Sequence, residues 1–180
     1  MNNLFDKWKT KIPQYSEEYR ELLFESLSKK FGGSEKSKID FGKHFSNNYE
    51  LYIYAFFLGL YNEEFIPIPE GTKKVDFSYQ IQNWGSKGNR LDRKDFTSIQ
   101  ENIFSALVAK SDIDLIKLEK GEIKEDDIVK LLIQTMEAYT NGGLNLIKEK
   151  LEENSNYFLQ QTSFLNMILE SKLSKPKKKK

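Results

Sequence analysis

Ten consecutive residues from Leu51 to Leu60, LYIYAFFLGL, are apolar, aromatic or glycine, with no charged side chain among them. Asn47 or Asn48 can cap a helix that starts just before this run and extends through Tyr61, a length unusual for a strand. A helix at the protein surface has one apolar stripe, whereas this segment is apolar on every face. We therefore predict a buried helix at the centre of the fold.

Apolar residues recur at helical spacing through most of the remaining chain, and capping residues or acidic first turns mark further helix starts. The predicted starts are Ser16, Asp76, Asp92, Ser111 or Asp112, Glu125 and about Ser155. Asn141, Gly142 and Gly143 are typical of a turn and would divide the last third of the chain into separate helices. The sequence predicts an all-α, single compact domain of about seven helices over residues 1–171.

Composition excludes several kinds of chemistry. The chain has no cysteine and one histidine, which removes disulfides, cysteine-based zinc sites, iron–sulfur clusters and thiol nucleophiles. A Ser–His–acid catalytic triad would have to use His44. A mononuclear metal site would have to rely almost wholly on carboxylates. We expect His44 to be a surface or half-packed residue, and we predict no catalytic residue, no metal and no cofactor.

Two groups of acidic residues keep a weaker alternative open. Glu50, Glu63 and Glu64 flank the apolar helix, and a hydrolase built on paired carboxylates would need two such groups across a cleft. The run Glu125–Asp127 can be imagined as a set of metal ligands. Adjacent carboxylates point in different directions around a helix, however, so this run fits the positive end of a helix dipole better.

Two features of the sequence bear on the cellular location of the protein. No apolar run reaches the roughly 18 residues that a membrane-spanning helix needs. Residues 1–11 alternate in charge and lack the apolar core of a signal peptide. We expect a cytoplasmic protein with no membrane span.

The net charge of +1 conceals an uneven distribution, because six lysines lie in residues 172–180 with no acid among them. Without those six charges the net charge of residues 1–171 is −5. A lysine-rich end attracts polyanions such as DNA, RNA or an anionic surface. The alternative is a disordered, solubilising tail.

The segment Trp84–Lys94, WGSKGNRLDRK, is the basic patch of residues 1–171. Four basic residues surround one turn-rich loop: Lys87, Arg90, Arg93 and Lys94. Backbone N–H groups that glycine leaves accessible, together with basic side chains, can bind a phosphate, and Trp84 can stack on a base. The alternative is an exposed turn with Trp84 anchored in the core. The spacing differs from that of a Walker loop, so no nucleotide-binding motif supports the first interpretation.

Three segments carry a family resemblance: YIYAFFLGLY (Tyr52–Tyr61), WGSKGNRLDRKDF (Trp84–Phe96) and EAYTNGGLNLI (Glu137–Ile147). Together they resemble small helical accessory proteins encoded beside ATPases in bacterial DNA-modification and anti-phage defence systems. The resemblance covers roughly residues 50–150 and includes no catalytic motif, so no functional residue is transferred. It implies an accessory subunit that binds a larger ATPase or nuclease component, with DNA as a further partner.

Two hypotheses follow for function. The first is a non-enzymatic accessory or adaptor subunit of a cytoplasmic assembly, which binds its partner through an aromatic helical face. Tyr52, Tyr54, Phe56 and Phe57 are candidates for such a face, or else simply core residues. The second is a nucleic-acid-binding module that uses the basic loop at 87–94 together with the lysine tail.

Overall fold

Helices dominate the computed structural model, which describes residues 3–28, 44–77, 79–85 and 96–174. The elements are α1 (Leu4–Lys9), β1 (Gln14–Ser16), the π-helical α2 (Arg20–Glu25), α3 (Asn48–Asn62), β2 (Lys74–Asp76), α4 (Thr97–Lys110), α5 (Leu115–Glu119), α6 (Glu125–Glu153) and α7 (Ser163–Ser174), with 3₁₀ turns at Ile81–Asn83 and Tyr157–Leu159. The predicted all-α fold class is confirmed, with seven helices in the described residues.

The chain divides into two compact units, each built from two separate segments. The first unit comprises Met1–Ser16 and Pro67–Ala138, and the second comprises Glu17–Ile66 and Tyr139–Lys180. The predicted lysine tail, 172–180, lies beyond the described residues except for its first three positions. Long helix α6 supplies its beginning to the first unit and its end to the second.

Helix α3 is the buried apolar element of the second unit, as the sequence predicts. Leu51, Tyr52, Ala55 and Phe56 are fully buried. The helix ends at Glu63, which adopts a left-handed conformation with φ 61° and donates its N–H to the carbonyls of Gly59 and Leu60. A segment with neither helix nor strand, residues 64–69, follows.

The predicted turn at Asn141, Gly142 and Gly143 is wrong, because α6 continues through all three residues. These glycines serve close helix packing instead. A Cβ added at position 143 would lie 2.6 Å from the carbonyl carbon of Ala55. One added to Gly59 would lie 2.9 Å from the backbone nitrogen of Gly143. The backbones of α3 and α6 therefore approach too closely at this crossing for any side chain to fit.

The first unit is organised around aromatic residues and a two-stranded sheet. Trp8 is fully buried, with its ring centroid 5.6 Å from that of Phe104. Strands β1 and β2 pair antiparallel, with Tyr15 opposite Val75. The sequence shows no strand pattern here, because three residues are too few for alternation to be visible and the partners are far apart in the chain.

Several helix boundaries differ from the predicted ones. Ser16 ends β1 instead of capping a helix, and the helical region after it includes the π-helical α2. The cap of α5 is Asp114, whose Oδ1 accepts the N–H groups of Ile116 and Lys117 at 3.1 and 3.0 Å. Helix α7 begins at Ser163, eight residues after the predicted start, because a 3₁₀ turn occupies Tyr157–Leu159. The predicted helix start at Asp92 lies outside the described residues.

Candidate interaction surface

Helix α7 is fastened to α3 by aromatic packing in the second unit. The Tyr54 hydroxyl on α3 donates to the Phe164 carbonyl at 2.6 Å. The Phe164 ring meets those of Phe45, Tyr54 and Phe158 at centroid distances of 4.7, 5.0 and 4.8 Å. Burial raises the pKa of Tyr54, so its hydroxyl stays a proton donor across the ordinary pH range. The start of α7 therefore has a defined position against α3.

His44 belongs to the same cluster. Its Nε2 lies 2.6 Å from the Phe158 carbonyl oxygen, and its ring stands edge-on to Phe164 at 5.1 Å. The side chain is half-buried. The expectation of a half-packed histidine is confirmed, and the residue acts as a packing and hydrogen-bonding group of this cluster.

An apolar groove with a cavity volume of about 500 Å³ runs between α3 and α7. It is lined by Tyr54, Phe57, Leu58, Leu60, Tyr61 and Ile168. On α7, the helix that contributes Ile168 to this lining, two leucines one helical turn apart are exposed, Leu165 at 56% and Leu169 at 47%. Large apolar side chains gathered around a groove mark a surface suited to binding another molecule. We call the six lining residues the α3/α7 groove.

An acidic pocket of about 300 Å³ lies between α6 and α7; it shares the buried Leu58 with the α3/α7 groove, but its α7 residues are Met167 and Glu170 instead of Ile168. Three glutamates and one lysine line it, namely Glu149, Glu153, Glu170 and Lys150. The Lys150 Nζ lies 3.1 Å from Glu153 and 3.5 Å from Glu170. Hydrogen bonding to Glu153, opposed by partial burial, leaves the pKa of Lys150 above its ordinary value. With all four groups ionised, the pocket has a net charge of −2.

A second, mixed groove of about 400 Å³ lies in the first unit, beside β1 and the beginning of α6. Glu137 on α6 accepts the backbone N–H of Gln14 at 2.7 Å. Burial raises the pKa of Glu137, and this outweighs the hydrogen bond and the attraction of Lys74. The carboxylate thus supports an end of the short sheet, a structural task that explains why a charged group is half-buried here.

The predicted phosphate-binding residues are only partly described by the structure. Trp84 is buried, with 1% of its surface exposed, and its indole N–H donates to the Tyr79 carbonyl at 3.2 Å. Its ring meets Phe77 at 5.7 Å. Trp84 is thus a core anchor, in agreement with the alternative interpretation of this segment. The remaining four residues of the hypothesis lie outside the described residues: Lys87, Arg90, Arg93 and Lys94. Phosphate binding by this loop remains a prediction.

The acidic residues at 125–127 lie in the first turn of α6, as the helix-dipole interpretation predicts. Lys7 bridges to Glu125 at 2.6 Å, which raises the pKa of the lysine. Glu50 accepts the backbone N–H of Ser46 at 2.8 Å and so helps to begin α3. Within the described residues, no three acidic or histidine side chains converge on a point where a metal could bind.

Part of the groove was accessible to sequence reasoning. Tyr54 and Phe57 line it, whereas Tyr52 and Phe56, named with them, are fully buried. The exposed residues of α7 are not predicted from the sequence. Apolar residues at helical spacing indicate a buried face, whereas Leu165 and Leu169 are exposed. In the described part of the chain, no helix combines the length and the apolar character that crossing a membrane requires.

Comparison with protein-family models, with curated proteins and with solved structures found no match to this chain. The resemblance to accessory proteins of defence systems therefore remains a prediction from the sequence.

Proposed function

We propose that the protein is a non-enzymatic accessory subunit of a cytoplasmic assembly, and that it holds a larger protein partner in the α3/α7 groove. The observation that carries the proposal is the apolar groove, together with the exposed Leu165 and Leu169 on α7, the helix that contributes Ile168 to the groove. The absence of cysteine and the single half-packed histidine support a binding role over catalysis. A partner with ATPase or nuclease activity, in DNA processing or antiviral defence, is the prediction that the family resemblance adds.

The composition of the groove suits protein binding. Tyrosine and phenylalanine are enriched at protein interfaces, where a few aromatic side chains contribute most of the binding free energy. Full burial of a leucine side chain contributes about 1.5–3 kcal/mol. Leu165 and Leu169, each about half exposed, would together contribute about 2 kcal/mol when a partner covers them. The Tyr54 hydrogen bond to Phe164 sets the groove wall in place before binding, which lowers the entropy cost of association.

The test is affinity purification of the tagged full chain from its source cells, followed by quantitative mass spectrometry. Three forms are compared: the wild type, Leu165→Glu with Leu169→Glu, and the control Ile116→Glu. Ile116 is 65% exposed and belongs to the first unit, so the control adds a charge to an exposed position that is not part of the unit holding the groove. We expect one partner to be recovered with the wild type and the control at equal levels, and to be reduced at least tenfold with the double variant.

Recovery of the same proteins with all three forms would refute a role for the groove. Nuclease treatment of the lysate distinguishes the nucleic-acid alternative. If that treatment releases the partner, and charge removal at Lys87, Arg90, Arg93 and Lys94 has the same effect, the chain acts through DNA or RNA. Affinity for an oligonucleotide should then fall steeply with added salt.

A further inference from the structure

We propose that the exposed edge of β2 pairs with the same edge of a second copy of the chain, in an antiparallel register centred on Val75. This inference goes beyond the proposed function, because β2 belongs to the first unit and the α3/α7 groove to the second. It depends on the direction of the backbone groups of β2 and on the order of its charged side chains.

The free edge of β2 follows from the way this strand pairs with β1. The Phe77 N–H, one residue beyond the strand, donates to the Pro13 carbonyl at 2.8 Å. Successive residues of an antiparallel strand direct their N–H and C=O groups to opposite sides. Val75 therefore faces β1 as Phe77 does, whereas Lys74 and Asp76 direct their backbone groups away from it. Both residues are exposed, and no residue in the described part of the chain hydrogen-bonds to these four outward groups.

An exposed strand edge is a template on which another strand can pair. Two identical edges pair about a twofold axis, so that each contact between the copies occurs twice. With the axis at Val75, Lys74 of each copy faces Asp76 of the other. The outward N–H and C=O groups of these two residues then form four hydrogen bonds between the copies, two at each end of the contact.

The charged side chains select this register. Lys74 and Asp76 are two residues apart, so their side chains lie on the same face of the strand. Opposite charges that face each other across two strands stabilise the pairing, and like charges destabilise it. An axis at Lys74 would set lysine against lysine, and an axis at Asp76 would set acid against acid. Of these three registers, only the one centred on Val75 places each lysine opposite an acid.

Both charges are available to a second copy. The Asp76 Oδ1 accepts the side-chain amide of Gln14 at 2.7 Å, whereas Oδ2 has no hydrogen bond to a described residue. Lys74 is attracted to Glu137 but forms no ion pair with any residue that the structure describes. Three residues on each side are far fewer than the roughly 20–30 a side of a stable interface, so we expect a weak, reversible dimer.

The experiment measures the dimer dissociation constant of the full chain by sedimentation equilibrium, from about 10 µM to about 1 mM, because association depends on concentration. Lys74→Asp sets carboxylates against each other at both ends of the contact, and Asp76→Lys sets ammonium groups against each other. Each should weaken the dimer about tenfold. The double variant, Lys74→Asp with Asp76→Lys, places opposite charges face to face again and should recover the wild-type constant.

A mixture of the two single variants provides a second test of the register. One copy then contributes two acids and the other two lysines, so native mass spectrometry should show the heterodimer in excess over either homodimer. The control Lys120→Asp makes the same charge change at an exposed position of the first unit and should dimerise like the wild type. Thermal unfolding of each variant checks that it is folded.

Hydrogen exchange identifies the backbone groups that pair. Raising the protein concentration should slow exchange of the Lys74 and Asp76 amides, while the Val75 amide, directed towards β1, should change little. A chain that stays monomeric up to about 1 mM would overturn the inference. So would a dimer that survives both single charge reversals unchanged. Either result leaves the proposed function standing, since the groove lies in the second unit. A dimer dissociated by Leu165→Glu but not by the β2 variants would place the second copy on α7 and also overturn the inference.

Discussion

Replacing Gly143 by alanine sets two effects of opposite sign against each other. In the interior of an unobstructed helix, alanine is more stable than glycine by about 1 kcal/mol. In α6 the new Cβ would lie 2.6 Å from the carbonyl carbon of Ala55 and closer still to the oxygen. Carbon atoms in contact ordinarily stand about 3.5–4.0 Å apart. Helices α3 and α6 would therefore have to separate by about 1 Å.

We expect the obstruction to outweigh the helix propensity. Overpacking of a core costs about 1–3 kcal/mol, and the upper part of that range applies because the obstructing atoms are backbone, which cannot rotate away. After the gain in propensity, the net loss is about 2 kcal/mol. For a chain of this size that loss corresponds to a fall in Tm of about 4–8 °C.

Circular dichroism at 222 nm, followed with temperature, measures the change. The control is exposed Gln134 in the same helix, where an alanine variant should be more stable than a glycine variant by about 1 kcal/mol. Gly59→Ala should lower Tm as well, because its Cβ would meet the Tyr139 backbone. The double variant should lose less than the sum, since the first substitution already separates the helices. A Tm for Gly143→Ala equal to or above that of wild type would refute the close-packing argument.

Two further substitutions test the first unit. Gln100→Ala removes the hydrogen bonds that the buried Gln100 amide donates to the carbonyls of Ile81 and Trp84, at 3.0 and 3.2 Å. The free energy of unfolding should fall by about 1–3 kcal/mol, measured by urea denaturation, and an unchanged urea midpoint would contradict this. Glu137→Gln keeps an acceptor for the Gln14 N–H but cannot ionise. Because burial raises the folded-state pKa of Glu137, its favourable contribution is complete below the ordinary value of 4.5 and is lost as pH rises through the folded value. The variant should thus gain stability relative to wild type as pH rises towards neutral, and a difference in Tm that does not vary with pH would refute this.

Local sequence signals predicted those elements that local forces determine. Helix α3 was found from a continuous apolar run with an asparagine before it, and α6 from the acidic residues of its first turn. The β1–β2 pair was missed because its strands are 57 residues apart and only three residues long. The continuity of α6 through Gly142 and Gly143 was missed for a related reason. Glycine in a helix is unfavourable by itself, and only the opposing backbone of α3 explains its presence.

The candidate groove was harder to predict than the helices that form it. A helix that is apolar on every face gives no sign of which face the rest of the chain leaves uncovered. Tyr52 and Phe56 are buried while Phe57 lines the groove, although all three have similar apolar character. Which face is open depends on the direction from which α6 and α7 approach α3, and the glycine crossing and the aromatic cluster around Phe164 determine those directions.

The composition of the chain does not require leucines at the exposed positions of α7. Charged residues make up 31% of the chain, and α7 itself places Asn166 and Glu170 directly beside Leu165 and Leu169. Polar replacements at exposed helical positions usually change stability by no more than about 0.5 kcal/mol, so folding alone does not require leucine at either place. Two exposed leucines one turn apart, on a helix that also contributes Ile168 to an apolar groove, make physical sense as parts of a surface that a partner covers.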